Sequence, residues 1–240
     1  MTEAGEFVRL FPIPFRDLEN PNQFSKWQWI EALIKKATDD HRKESYKISI
    51  DTIKPLEKVS SKNRWKDRYY WIDRLPVFET FDEIRLNQES LNVSLALLHP
   101  FSVTALEIKE SDKEWNKDEI EKLTRHEQGL FESNNNNSSK KLLRKIPYDF
   151  YYHYTCKDNN GVVFNYKHKI VDWELGALYW TCVKDYGDKW EEKLRQKYEK
   201  DLAQKNLYFL MGNIHRFQNQ WLIISVIYPP NRSQVQQDLF

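Results

Sequence analysis

Apolar and aromatic positions fall along this chain in short bursts separated by polar turns, and the spacing inside each burst predicts an element. Residues 7–15, FVRLFPIPF, are densely apolar, but Pro12 and Pro14 remove two ladder donors. That predicts an edge strand running into an extended turn. Residues 24–36 read two ways. At period two Trp27, Trp29 and Leu33 share a face, whereas at helical period Trp27, Ile30, Leu33 and Ile34 gather. Aromatic content favours a strand at the centre, with residues 44–51 as its partner after the polar turn at 38–41. In residues 60–75 Trp65, Tyr69, Ile72 and Leu75 recur at helical spacing, which predicts a helix capped by Ser61. A short helix over 78–86, a buried strand over 91–99 closed by Pro100 and a strand over 103–109 follow.

Residues 134–140, NNNNSSK, are polar and repetitive. Such a tract cannot recover an ordering cost of roughly 1–2 kcal/mol per residue, so an exposed loop and the best internal boundary are expected there. Beyond it, residues 148–156 and 162–169 alternate around Asn159-Asn160-Gly161, a hairpin signal. Residues 172–186 read as a helix stopped at Gly187. Residues 189–204 form a second, amphipathic one, with Trp190, Leu194, Tyr198 and Leu202 at steps of four. Strands at 207–211 and 221–228 flank a loop that holds His215 and Arg216. The expectation is an α+β protein: a β-rich, barrel-like module over 1–132, packed with a ββααββ module over 133–240.

Composition narrows the classes. The 240 residues carry 37 Lys/Arg against 36 Asp/Glu and include nine Trp, so polybasic coats and disordered tails are excluded. The neutrality is a cancellation. Residues 35–74 sum to +5, 79–132 to −7 and 133–170 to +5, so a local electrostatic contact stays open. No cationic segment followed by an apolar run opens the chain, and no stretch approaches the ~20 apolar residues of a membrane span, so a cytoplasmic protein without membrane contact is expected. Cys156 and Cys182 belong to no CxxC pair and read as free thiols. GxGxxG, GxxxxGK[ST], GxSxG and HExxH are all absent.

Four groups of residues carry chemistry. Lys62, Arg64, Lys66 and Arg68 interleave with Trp65, Tyr69, Tyr70 and Trp71. Cations neutralise phosphates and flat rings stack on unpaired bases, so this segment suits nucleic acid, although the stripe Trp65–Tyr69–Ile72 also serves to pack a helix. Lys140, Lys141, Arg144 and Lys145 form a second basic stretch beside the Asn/Ser tract. Arg9 and Arg16 flank the prolines, where each would fork onto a phosphate or pair with a nearby acid. Finally, His153, Cys156, His168, Asp172 and Glu174 concentrate around the predicted hairpin. Cys, His and carboxylate suit Zn²⁺. Asp172 and Glu174 suit Mg²⁺ for phosphodiester cleavage, with His168 as general base. The plainer assignment makes Asp172 a helix N-cap and Glu174 its dipole partner.

The strings RLFPIPFRDL, FSKWQWIEA, ESYKI, VDWELGALYW, LYFLMGN and WLIISVIYPP occur in that order. Together they resemble a group of uncharacterised bacterial proteins with no assigned activity, a group that keeps company with DNA-modification and phage-defence genes. The resemblance implies that both halves act as one unit and transfers no catalytic residue. Three functions are therefore carried forward: a nucleic-acid-binding accessory protein; a metal-dependent nuclease using Asp172, Glu174 and His168; and a protein-interaction subunit whose acidic block, 79–132, docks on a basic partner or on a second copy.

Overall fold

The computed structural model describes residues 1–13, 15, 18, 20–121 and 144–231. Arg16, Lys140, Lys141 and the tract at 134–140 lie outside the described residues. Strands run β1 (Arg9–Leu10), β2 (Gln28–Glu31), β3 (Ile34–Lys36), β4 (Ser45–Ile48), β5 (Lys54–Lys58), β6 (Val77–Phe78), β7 (Leu95–Leu98), β8 (Ser102–Glu110), β9 (Tyr148–Lys157), β10 (Val163–Ile170), β11 (Tyr208–Ile214) and β12 (Phe217–Ile227). The helices that bear on the site and the core are α1 (Lys62–Ile72), α2 (Phe81–Leu91), α3 (Trp173–Tyr186) and α4 (Trp190–Arg195). The architecture is α+β, as expected. No helix among the described residues is long and apolar enough to cross a membrane.

A seven-stranded sheet in the order β6-β7-β11-β12-β10-β9-β8 organises the chain. It is antiparallel except at β6–β7 and β10–β12. Alternation along its strands sorts side chains to two faces. Phe209 and Met211 of β11 enter the large core with Leu175, Tyr179, Cys182 and Leu194 of α3 and α4, whereas Tyr208 and Leu210 face Tyr69 and Ile72 of α1. Each fully buried side chain of this size contributes about 1.5–3 kcal/mol relative to exposure. β8, before the Asn/Ser tract, and β9, after it, are paired neighbours in this one sheet. At the free edge of β8, Glu199 accepts the Leu106 amide and Arg195 donates to the Leu106 carbonyl, blunting a row that would otherwise template another strand.

The first 74 residues form two small open sheets, β1-β4-β3 and β2-β5, so no closed barrel is present among the described residues. The edge strand expected within 7–15 is present as the short β1, Arg9–Leu10, at the edge of its sheet and parallel to β4. The centre of residues 24–36 is strand, as aromatic content favoured, in two pieces, β2 and β3, after a turn in which Trp27 holds a φ of 63°. The partners differ: β2 pairs with β5, and only β3 pairs with β4.

The helix at 62–72 departs from its sequence reading at the start. Asn63, Arg64 and Trp65 hold φ of 49°, 51° and 67°, and Ser61 makes no side-chain cap. Left-handed backbone costs L residues ~1–2 kcal/mol each. What holds it is a stack in which Trp27 and Trp65 meet edge to face at 5.6 Å, with the Arg68 guanidinium over both rings. The amphipathic helix at 189–204 also breaks. It is α-helical to Arg195 and continues as a π-helical turn, Gln196–Asp201.

Candidate functional site

Where the 1–74 segment lies over the sheet, a cavity of about 1530 Å³ remains. Its floor is aliphatic, from Leu95 and Leu97 on β7, Leu210 on β11, Ile224 and Ile227 on β12, and Ile72 on α1. Its walls are aromatic, from Phe7, Phe11, Phe15, Trp27, Trp29 and Trp71, with Trp173 at the start of α3. Trp29 and Trp71 pack edge to face at 4.8 Å, and the Arg74 guanidinium covers Tyr70 and Trp71 next to them. Three of these rings open to solvent: Trp173 is 72% exposed, Phe11 53% and Phe15 41%. Lys26 reaches across from the first segment to Glu174 on α3, Nζ to Oε2 2.8 Å, and so ties the two sides together at the cavity.

A polar network anchors the other end. Arg9 Nη2 donates to the Ser94 carbonyl (3.0 Å) and Oγ (3.2 Å), while Ser94 N and Oγ donate to the Glu44 carboxylate. Arg42 donates to Asp40 and, through Nη1, to the Asn213 carbonyl at 2.8 Å. Burial, then the neighbouring Arg42 charge, lowers the Arg9 pKa to about 10. Burial opposes ionisation of Asp40, but hydrogen bonds from Arg42 and Ser45 hold its carboxyl well below the usual range. Arg9 Nε is buried without a hydrogen-bond partner in the described structure. Arg42 and Asp40 form an ion pair in a low-dielectric setting where a lone charge would be costly, and Glu44 stands near Arg9 as a counter-charge. Arg9 ties the first segment to the sheet through Nη2, with its Nε left unpartnered.

The other sequence-derived candidates divide by location. Lys62, Arg64 and Lys66 are exposed. Arg68 is held in the Trp27–Trp65 stack and donates to the Val59 carbonyl, and burial lowers its pKa. Arg144 stacks on Trp180 of α3 at 4.0 Å, and Lys145 pairs with Glu119 at 2.7 Å. Trp180 packs against the helix-covered core and α1 against the opposite face, so Arg144 does not share a groove with the first basic block.

Nor do the proposed catalytic groups converge. Asp172 caps α3, accepting from Glu174 N (2.9 Å) and from Val226 N (2.7 Å). Glu174 holds Lys26. His168 contacts Tyr154 Oη through Nδ1 at 2.9 Å and lies 4.3 Å from the Phe81 ring, where burial lowers its pKa to about 4. His153 meets Glu107 on the other face, and Cys156 is buried with its thiol pushed up to about 12. No cluster of three His, Cys, Asp or Glu able to hold a metal occurs among the described residues.

Sequence reading missed the cavity aromatics as a set. Trp29, Phe11 and Trp173 each stand in aromatic-rich strings, but they are assembled from the first 30 residues and from α3, about 145–160 positions later. Trp173 carried the clearest local signal, an apolar ring at the first helical position, where nothing in α3 buries it.

No curated protein and no solved structure matches the chain. Two family models do, and they meet between the open-sheet segment and the seven-stranded sheet. One, described as Domain of unknown function (DUF8758), matches residues 1–74. The other matches residues 77–240, the larger part of the chain, which therefore belongs to the family described as Domain of unknown function (DUF8757).

Proposed function

We propose that this protein is a noncatalytic nucleic-acid-binding accessory. The observation that carries the reading is one helix that bears exposed cations together with aromatic rings, Tyr70 exposed and Trp71 half-buried. Lys62, Arg64 and Lys66 open the same helix whose Trp71 lines the aromatic cavity. Phosphates released from their counterions would sit on the cations, and flat side chains supply sequence-tolerant contact. Arg144 and Lys145 contribute to folding on the other side of the sheet, so the contact narrows to the first basic block. An accessory to DNA modification or phage defence would use such a surface to hold strands for a catalytic partner.

The test is fluorescence anisotropy with labelled single- and double-stranded DNA and RNA between ~50 and ~200 mM salt. Affinity is expected to fall steeply with salt, and a Lys62→Glu/Lys66→Glu variant is expected to flatten that dependence by about two phosphate contacts. No binding to any of the four at ~50 mM salt ends the reading.

A further inference from the structure

We infer that the cavity receives unpaired bases, so that the ligand is a single strand rather than a duplex; this rests on the nucleic-acid reading above. At about 1530 Å³ the space exceeds the ~300–1,000 Å³ that serves a single drug-sized ligand, which suits a ligand of several repeating units. Of the charges at its two ends, Lys26 is committed to Glu174, while Arg9 donates through Nη2 to Ser94 and leaves its Nε without a partner. A run of phosphates brought inside would lose water with few donors to replace it. Bases are uncharged and offer flat faces to the rings, so they enter at lower cost. Trp173, Phe11 and Phe15 present rings to solvent at the mouth, and Tyr70, 55% exposed, adjoins Trp71. Lys62, Arg64 and Lys66 stand outside, where a backbone would run with its bases turned inward. A duplex keeps its base faces stacked on one another and has nothing to insert. An acyl chain would fit the aliphatic floor, but its one headgroup would use a single cation and its chain gains no stacking from flat rings at the mouth.

The experiment compares a 12-nucleotide DNA strand, an abasic backbone of the same length and a 12-base-pair duplex, at one salt concentration. The intact strand is expected to bind at least about ten-fold tighter than either. Trp173→Ala and Phe11→Ala change exposed rings, and each is expected to weaken the strand at least about five-fold while leaving the abasic backbone unaffected. Equal affinity for strand, abasic backbone and duplex would overturn the assignment while leaving nucleic-acid binding intact. Absence of binding to all three would remove both readings. A variant that loses its fold is replaced by Trp173→His, which retains a flat ring and is expected to restore most of the affinity. An apolar dye held in the cavity and displaced by a fatty acid, but not by the strand, would also overturn the assignment.

Discussion

His168 shows how one side chain's surroundings decide between catalysis and packing. Its Nδ1 is satisfied by Tyr154, its ring lies on Phe81, and burial keeps it neutral, with a pKa of about 4 against an ordinary 6.5. A depressed folded-state pKa means that the unfolded chain takes up the proton first as pH falls. The stabilisation is thus complete above pH ~6.5 and lost progressively between ~6.5 and ~4, with an upper size of about 3 kcal/mol. His168→Asn, which keeps an acceptor near the Nδ1 position, is expected to flatten that part of the pH–stability curve. Urea midpoints at pH 7 and pH 5 measure it. An unchanged pH dependence in the variant would show that the imidazole is not the titrating group.

At the scale of the element, α3 depends on Asp172. The carboxylate is 6% exposed and bridges two backbones, its own helix at Glu174 and β12 at Val226. Removing it costs the cap, ~1 kcal/mol, and leaves the buried Val226 amide unpaired, a further ~1–3 kcal/mol. Asp172→Ala is therefore expected to lose about 2–4 kcal/mol by denaturant unfolding, and Asp172→Asn less, because one acceptor oxygen remains. A loss below ~0.5 kcal/mol in the alanine variant would refute the bridging role. This helix was also among the most legible parts of the sequence: cap, period and terminal Gly187 all pointed to the bounds found. The β9–β10 hairpin was equally readable, because alternation and turn chemistry are local. The start of α1 was not. Its left-handed turn at residues 63–65 accompanies the contact of Trp65 with Trp27, a residue outside the helix, and local spacing does not signal it, although Trp65 and Leu75 still pack with Tyr69 and Ile72 as the stripe predicts. The pairing of β2 with β5 rather than with residues 44–51 escaped for the same reason, since strand partners are chosen by three-dimensional packing.

Across the whole molecule, the relation between the 1–74 segment and the sheet decides whether there is a site at all. The segment has a small core of its own, Leu18, Ile48 and Ile53. Its remaining buried apolar residues, Tyr69 and Ile72, complete their packing on Leu97, Tyr208 and Ile227 of the sheet. Gly5 is pinned as well: at φ +80° its Cα stands where a Cβ would come within 2.7 Å of the Arg74 carbonyl. The polar weld adds Glu44, 6% exposed, which takes both donors of Ser94 and faces the Arg9 charge. A domain of that size with part of its core on another element falls below what a single small core sustains. Residues 1–74 expressed alone are therefore expected to give a disordered amide spectrum by NMR and no cooperative thermal transition. In the full chain, Glu44→Ala strands two donors and leaves Arg9 with one fewer counter-charge. It is expected to lower stability by about 3–5 kcal/mol and, because both modules share the weld, to do so in one transition. If instead the 1–74 signals melt first while the sheet keeps its own midpoint, the weld is local and the cavity opens before the protein unfolds. The bases assigned to that cavity would then bind an interface that breathes, and affinity would depend on temperature well below global unfolding.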